Sequence, residues 1–301
     1  MSRKSHRGAI VEQEAAHFLK QGMQYLNVEA AQSLEAQMSA VVDCLRSVSK
    51  RPASQLIAGN NFEVMPTDIS PQPQPGCSSG LFTPLYQSGY PEQPEAVQDP
   101  QFQQLASYRF ADRASGWLHL LLRIHQGSGA AEVSGYLFKT GVAYFGMVLP
   151  GPAIAWGDVS VSANVVVRGL TQFVLRSDGV RGESDSAAAI LTLRLFALSG
   201  ERRTSNTASY WRIIGPTDPL DFFFSAVRVR GEADLAVSFA AVPSGDLVIL
   251  VSAELLIAIA ASSAIVGQAS FATPAGLFAL NGIVVKNVRF TSCPPPRLRV
   301  S

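Results

Sequence analysis

The sequence contains few of the residues from which catalytic and metal sites are usually built. Of its 301 residues only 16% are charged, four are histidines and three are cysteines. Cys44, Cys77 and Cys293 form no C-x-x-C pair, which excludes the common zinc and redox motifs. Their wide spacing is unlike a disulfide framework, so we expect reduced thiols and a reducing compartment.

Signals for export and for glycosylation are also absent. The N-terminal sequence Met-Ser-Arg-Lys-Ser-His-Arg is basic, but no apolar run follows it. We find no signal peptide and no N-x-[ST] sequon, and we expect a cytoplasmic location. The net charge of +1 gives no indication of a nucleic-acid or membrane partner.

The chain divides by composition into residues 1–51, 52–104 and 105–301. The first part begins with a short basic arm and continues as a Pro-free stretch, 9–50, that is rich in helix-forming residues. An apolar stripe in the second half of this stretch predicts a helix that packs on its own domain or on another subunit. The stripe consists of Leu34, Met38, Val41, Leu45 and Val48.

The middle part is dominated by proline. Residues 52–100 hold nine of the chain's 18 prolines, and no Lys or Arg occurs between Ala53 and Tyr108. Proline cannot join the interior of a sheet. We therefore predict a linker or strap that lies on a surface and lacks regular structure over most of its length.

Residues 105–301 carry a succession of β-strand patterns. In Leu247–Ile259 one set of alternate residues is wholly apolar and the other is mixed, which is typical of a central strand in a β-sandwich. Val251 is expected in the core, and Glu254 is expected to meet solvent or a polar subunit contact. A rival interpretation is a membrane helix over 247–267, but Glu254 near its middle and the β-branched content argue against it.

Eight to ten such strands with short turns predict a mainly β fold. We expect an antiparallel β-sandwich with jelly-roll topology, preceded by the helical segment and the Pro-rich strap. Asn281-Gly282 predicts a two-residue type I′ hairpin, and Pro243–Asp246 predicts a second hairpin. The stretch 202–219 is expected to be the longest loop.

The search for chemistry gives no catalytic, cofactor or metal site. Gly76-Cys-Ser-Ser-Gly80 fits G-x-S-x-G, but it lacks the strand and helix that a nucleophilic Ser78 would need. Glu183 and Asp185 are too few for a Ca²⁺ site. Alternation places His119, Arg123 and His125 on one weakly basic strand face, which is either solvated or a contact for an anion or a subunit. Six aromatic residues could form a sugar platform or belong to the core: Trp117, Tyr136, Tyr144, Trp156, Tyr210 and Trp211.

The basic arm, the strap over 52–100 and the strand series over 105–290 together resemble the layout of coat proteins of small icosahedral RNA viruses. The resemblance implies a jelly-roll subunit that self-assembles into a homo-oligomer in the cytoplasm or in a virion. It also implies that Arg3, Lys4 and Arg7 contact nucleic acid, although the arm is less basic than such arms usually are. The alternative function is a β-sandwich binding module for a glycan or a receptor.

Overall fold

The computed structural model contains helical residues at 24–25 and 28–47 and fourteen strands among the residues it describes. The described residues are 24–25, 28–47, 63–64, 77–82, 95–99, 104–112, 115–149, 157–175, 186–214, 223–240, 246–261, 264–272 and 281–293. The helix, α1, spans residues 28–47. The strands are β1 (Glu63–Val64), β2 (Ser78–Phe82), β3 (Glu95–Asp99), β4 (Gln104–Asp112), β5 (Trp117–Ile124), β6 (Ala131–Val133), β7 (Tyr136–Leu149), β8 (Asp158–Leu175), β9 (Ala187–Ser199), β10 (Arg202–Ile214), β11 (Phe223–Ala240), β12 (Leu247–Ala260), β13 (Ala264–Phe271) and β14 (Gly282–Cys293).

The strands form two antiparallel sheets, as the sequence predicts. Sheet A has the order β1-β10-β9-β12-β7-β6, and sheet B has β2-β14-β8-β13-β5-β4-β3 with β11 on the other side of β8. From β5 onward most connections pass from one sheet to the other. The four central strands of sheet A have the order β10-β9-β12-β7, and those of sheet B have the order β11-β8-β13-β5. This distribution of the strands between two sheets is that of a jelly roll.

The main core lies between the two sheets. It contains every second residue of β12, from Leu247 to Ile259, and the inward-facing residues of β8 from Val159 to Val167. The prediction that Val251 faces the core is therefore confirmed. The membrane-helix alternative is wrong, because 247–260 is a strand hydrogen-bonded to β7 and β9. Within the described ranges, no helix has the length and hydropathy needed to cross a membrane.

The outer face of sheet A is covered by α1. Val41, Val42 and Leu45 of the helix are buried against β7, β9 and β12, and Leu34 and Met38 pack beside them. This confirms the predicted stripe for Leu34, Met38, Val41 and Leu45, and Val48 lies outside the described residues. It also helps to explain why all residues of β9 and β12 are buried: each strand has the main core on one face, and on the other face it has either α1 or a second apolar cluster that includes Tyr25.

Glu254 lies on this covered face, so the expectation that it meets solvent or a subunit is wrong. Its side chain is fully buried and accepts hydrogen bonds from Arg194 and from Ser252. Local alternation identifies the face on which a residue lies. It cannot reveal that a helix distant in sequence covers that face.

Three further predictions fail because they rest on local sequence patterns, which do not show how distant strands pair. The expected loop 202–219 contains the 13-residue strand β10, which forms a hairpin with β9. The segment Pro243–Asp246 connects β11 of sheet B to β12 of sheet A, and the two strands do not pair. Gly282 is the first residue of β14 and pairs with Arg168 of β8, so it is not in a type I′ turn.

The Pro-rich part contributes three short strands at sheet margins, and the rest of it lies outside the described residues. One of these strands, β2, pairs with β14 beside a disulfide between Cys77 and Cys293. The expectation of reduced thiols is wrong for this pair. The bond links the strap to the last strand across a sequence separation of 216 residues.

Candidate functional site

The long edge of sheet B is the first candidate for a functional surface. All 18 residues of β11 pair with β8, and among the described residues no strand pairs with the other side of β11. An edge of this kind presents a row of backbone N–H and C=O groups to any further strand. The described strands at the other margins are much shorter: β1, β2, β3 and β6 have between two and five residues.

Exposed apolar side chains concentrate at these margins. Five large hydrophobic residues are exposed in the described part of the chain, and four of them lie on edge strands. They are Leu81 on β2, Val97 on β3, Val133 on β6 and Phe224 on β11, whereas Val28 lies on α1. Phe224 is the most exposed of them, at 63%. Apolar groups beside open strand edges favour contacts with another chain.

The outer face of β11 carries four charged residues, and the sign of their charge changes from positive to negative at Gly231. Arg228, Arg230, Glu232 and Asp234 are all exposed and surround Gly231. Neither arginine has an ion pair or a side-chain hydrogen bond with any residue in the described ranges. The carboxylates are held by the neighbouring strands: Asn164 Nδ2 donates to Glu232 Oε1 at 2.8 Å and to Asp234 Oδ1 at 2.7 Å.

Glu232 also has a cationic neighbour. Lys286 Nζ lies 3.0 Å from Glu232 Oε1. The hydrogen bond from Asn164, together with that from Lys286 and its charge, lowers the pKa of Glu232 below the usual range. The carboxylate is therefore ionised at neutral pH.

A groove of about 850 Å³ crosses the same outer face. Arg168 of β8 and Arg228 and Arg230 of β11 line it, together with Glu232 and Asn281. Arg168 and Arg230 are direct ladder partners, so their side chains leave the sheet side by side on one face. Three arginines against one carboxylate make the groove cationic.

A row of aromatic side chains lies beside the groove on the outer face of sheet B. A Cβ on Gly282 would lie 2.4 Å from Trp117 Cε3, so the indole ring occupies the space above Gly282 next to Arg168. His119 stacks on Trp117 with ring centroids 5.4 Å apart. Phe110 also stacks on His119, with ring centroids 5.9 Å apart. The rings face one another, so they form a ridge and not a flat platform.

The sequence-predicted residues of β5 are only partly brought together. His119 and Arg123 are half-buried, and His125 lies beyond the strand and is 4% exposed. Nδ1 of His125 is 2.5 Å from the Gln126 carbonyl oxygen. Burial lowers the pKa of His119, and the Asp112 carboxylate opposes this shift only in part. The expected solvated face is therefore wrong for His125, and anion contact by His119, Arg123 and His125 stays a prediction.

The other candidates contribute no assembled site. Arg3, Lys4, Arg7, Trp156, Glu183 and Asp185 lie outside the described residues. Ser78 begins the edge strand β2. Tyr136 and Tyr210 are buried, and Trp211 packs in the cluster under α1, so the six aromatics do not form one platform. Among the described residues no group of three or more His, Cys, Asp or Glu side chains could hold a metal ion.

The sequence analysis did not single out Arg228, Arg230, Glu232 and Asp234. Their signal is present as Arg-x-Arg-Gly-Glu-x-Asp, an alternation of charges that changes sign at a glycine. A period of two places all four charges on one face of a strand. That the strand lies at an edge depends on pairing partners far away in sequence.

No protein-family model and no curated protein matches the chain. Among solved structures the chain is similar to TmCBM61 in complex with β-1,4-galactotriose, with 9% identity, 65% of this chain and 86% of that chain covered, and a TM-score of 0.18. It is similar to the CBM22-1 xylan-binding domain of Paenibacillus barcinonensis Xyn10C, with 13% identity, coverage of 66% and 88%, and a TM-score of 0.15. Infectious bursal disease virus strain Gt matches with 14% identity, coverage of 69% and 48%, and a TM-score of 0.11. Similarities at these TM-scores carry no argument about function.

Proposed function

We propose that this chain is a non-enzymatic structural subunit that assembles with further copies of itself through the edges of its sheets. The observation that carries the proposal is the 18-residue strand β11, whose second edge is unpaired among the described residues. Soluble proteins usually shorten, cover or bend such edges, because an open edge recruits another strand. Here the edge is long and ends beside an exposed Phe224.

The distribution of apolar surface supports the same function. α1 covers the outer face of sheet A, whereas Leu81, Val97 and Phe224 stay exposed on three edge strands of sheet B. If these margins meet neighbouring subunits, their apolar side chains become buried on assembly. This placement accounts for three of the five exposed large hydrophobics in the described part of the chain.

Light scattering on single-residue variants tests the proposal. Phe224→Lys places a charge beside the β11 edge, and charged edge residues oppose strand addition. We expect a lower weight-average mass than for the wild type. Val28→Lys is the matched control, because Val28 is 53% exposed but lies on α1, and its mass should equal that of the wild type. Equal masses for the wild type and Phe224→Lys would contradict assembly at this edge.

The specific form of this function is a viral capsid subunit, in keeping with the layout of arm, strap and jelly roll. In that form Arg3, Lys4 and Arg7 contact the packaged nucleic acid, because arginine and lysine neutralise phosphates. Purified particles should then absorb more strongly at 260 nm than the protein alone. Particles free of nucleic acid would exclude the packaging role and leave self-assembly in place.

A second candidate function is glycan recognition on the outer face of sheet B, at the surface that carries Trp117 and Arg168. Trp117 offers an apolar ring above Gly282, whose ladder partner is Arg168, and an aromatic ring with an arginine on the same face suits a sugar that carries a carboxylate or sulfate. A monomer that binds acidic oligosaccharides, and loses the binding in Trp117→Ala, would favour this function. Assembled protein with no oligosaccharide binding would exclude it.

A further inference from the structure

The charges of β11 are arranged so that the strand is complementary to a second copy of itself. From Arg228 to Asp234 the exposed positions read Arg, Arg, Glu, Asp on either side of Gly231. If two copies of β11 pair antiparallel with Gly231 opposite Gly231, Arg230 lies opposite Glu232 of the second copy. Arg228 then lies opposite Asp234 of the second copy. By symmetry each contact occurs twice.

We propose that two copies of this chain associate through antiparallel β11–β11 pairing centred on Gly231. The inference rests on the proposed self-assembly and specifies its partner and register. Directly opposed side chains on neighbouring antiparallel strands lie close enough to form ion pairs. The pairing would join the two copies of sheet B into one continuous sheet across a two-fold axis.

Neighbouring registers are disfavoured. A shift of two residues in one direction places Glu232 opposite Glu232, and a shift in the other direction places Arg230 opposite Arg230. Like charges directly opposite each other destabilise a sheet. A shift of one residue places exposed Arg228 opposite Leu235, which faces the core. The centred register alone gives four opposite-charge contacts without repulsion.

The side chains farther along the strand are compatible with this register. Phe224 faces Ser238 of the second copy, and Ala226 faces Ala236. Small residues leave room for the exposed ring of Phe224 to lie over the second copy. On the inner face Val229 lies opposite Ala233 and Val227 opposite Leu235, so the apolar layer continues across the junction.

Complementary charge reversal tests the register. In Arg228→Asp/Arg230→Glu the β11 edge carries only acidic charges, and in Glu232→Arg/Asp234→Arg it carries only basic charges. Each variant alone should lose the dimer, and an equimolar mixture should form a heterodimer on light scattering. Arg46→Glu/Arg289→Glu is the control, since it makes the same change in net charge as Arg228→Asp/Arg230→Glu on exposed residues of α1 and β14, away from β11 and from Arg168, and it should dimerise like the wild type.

A cysteine at the proposed axis gives an independent readout. Opposed Cα atoms in an antiparallel pair are about 4.5–5.5 Å apart, which is within the range that a disulfide spans. Gly231→Cys should form a covalent dimer on oxidation, visible on a non-reducing gel. Ala236→Cys, whose counterpart in this register is Ala226, should not.

The outcomes separate the register from the function. Dimerisation of the mixture together with the Gly231→Cys cross-link supports the proposal. A wild type that assembles while both reversed variants assemble equally well overturns the register but not self-assembly. Loss of the dimer in both variants without recovery in the mixture, or cross-linking only at Ala236→Cys, also overturns the register. A monomeric wild type overturns both proposals.

Discussion

Arg194 of β9 and Glu254 of β12 form a buried ion pair beneath α1. Nε of Arg194 lies 2.7 Å from Glu254 Oε1, and Nη2 lies 3.3 Å from Oε2, so both carboxylate oxygens are engaged. Glu29 of the helix reaches Arg194 Nη1 at 3.5 Å. The cluster therefore links α1 to the two central strands of sheet A, and it explains how an ionised group can lie inside an otherwise apolar strand.

We predict that Glu254→Gln destabilises the fold by about 3 kcal/mol, because the buried Arg194 loses its closest counter-charge and keeps only Glu29, at 3.5 Å. Chemical unfolding of the two proteins measures this difference. Glu35→Gln is the matched control: Glu35 is exposed on α1, and its substitution should leave the midpoint unchanged. Similar midpoints for Glu254→Gln and the wild type would mean that the pair is not buried as described.

Gly282→Val should destabilise the protein by about 1–3 kcal/mol through overpacking, because Trp117 occupies the space where the side chain would go. The double variant Trp117→Ala/Gly282→Val tests this cause. If the ring is the obstacle, thermal unfolding of the double variant will show less loss than the sum of the two single variants. Additive losses would point to the backbone of Gly282 instead.

How far the sequence predicts the fold is clear from β8 and β12. Alternation in both strands identifies the core-facing residues correctly, because that pattern is local and has a period of two. The same reasoning misses β10, whose first half is polar although Asn206, Ala208 and Tyr210 are buried at every second position.

Pairing partners and covering elements are the information that local patterns lack. The turn at Pro243–Asp246 looks the same whether it closes a hairpin or crosses between sheets. In the same way, the charges of Arg228 and Asp234 are readable in sequence, but the open edge on which they lie is set by pairing with β8. The candidate interface could therefore not be recognised before the topology was known.

The Cys77–Cys293 disulfide should stabilise the native state by about 2–4 kcal/mol, since it constrains a long loop in the unfolded chain. A reducing agent should lower the melting temperature of the wild type. It should have no effect on Cys77→Ser, which should melt at the lower temperature throughout. Cys44→Ser, outside the disulfide, should keep the response of the wild type. A wild type insensitive to reduction would contradict the bond.

Burial beside the stacked rings of Phe110 and Trp117 lowers the pKa of His119 below 6.5. As the pH falls through the unfolded-state pKa, the unfolded chain takes up a proton before the native state does, so stability is lost on acidification and is complete above that pH. His119→Phe removes the titrating group. Between about pH 7.5 and pH 5.5 its melting temperature should fall less than that of the wild type. Parallel profiles would show that His119 is not desolvated.

Self-assembly through strand edges is tested most directly by the mass of the purified wild type. Static light scattering over a range of concentrations measures that mass without a variant or a label. We predict multiples of the 32.1 kDa chain mass, beginning with an even number of copies if β11 pairs about a two-fold axis. A constant mass of 32.1 kDa at all concentrations would contradict the proposed function.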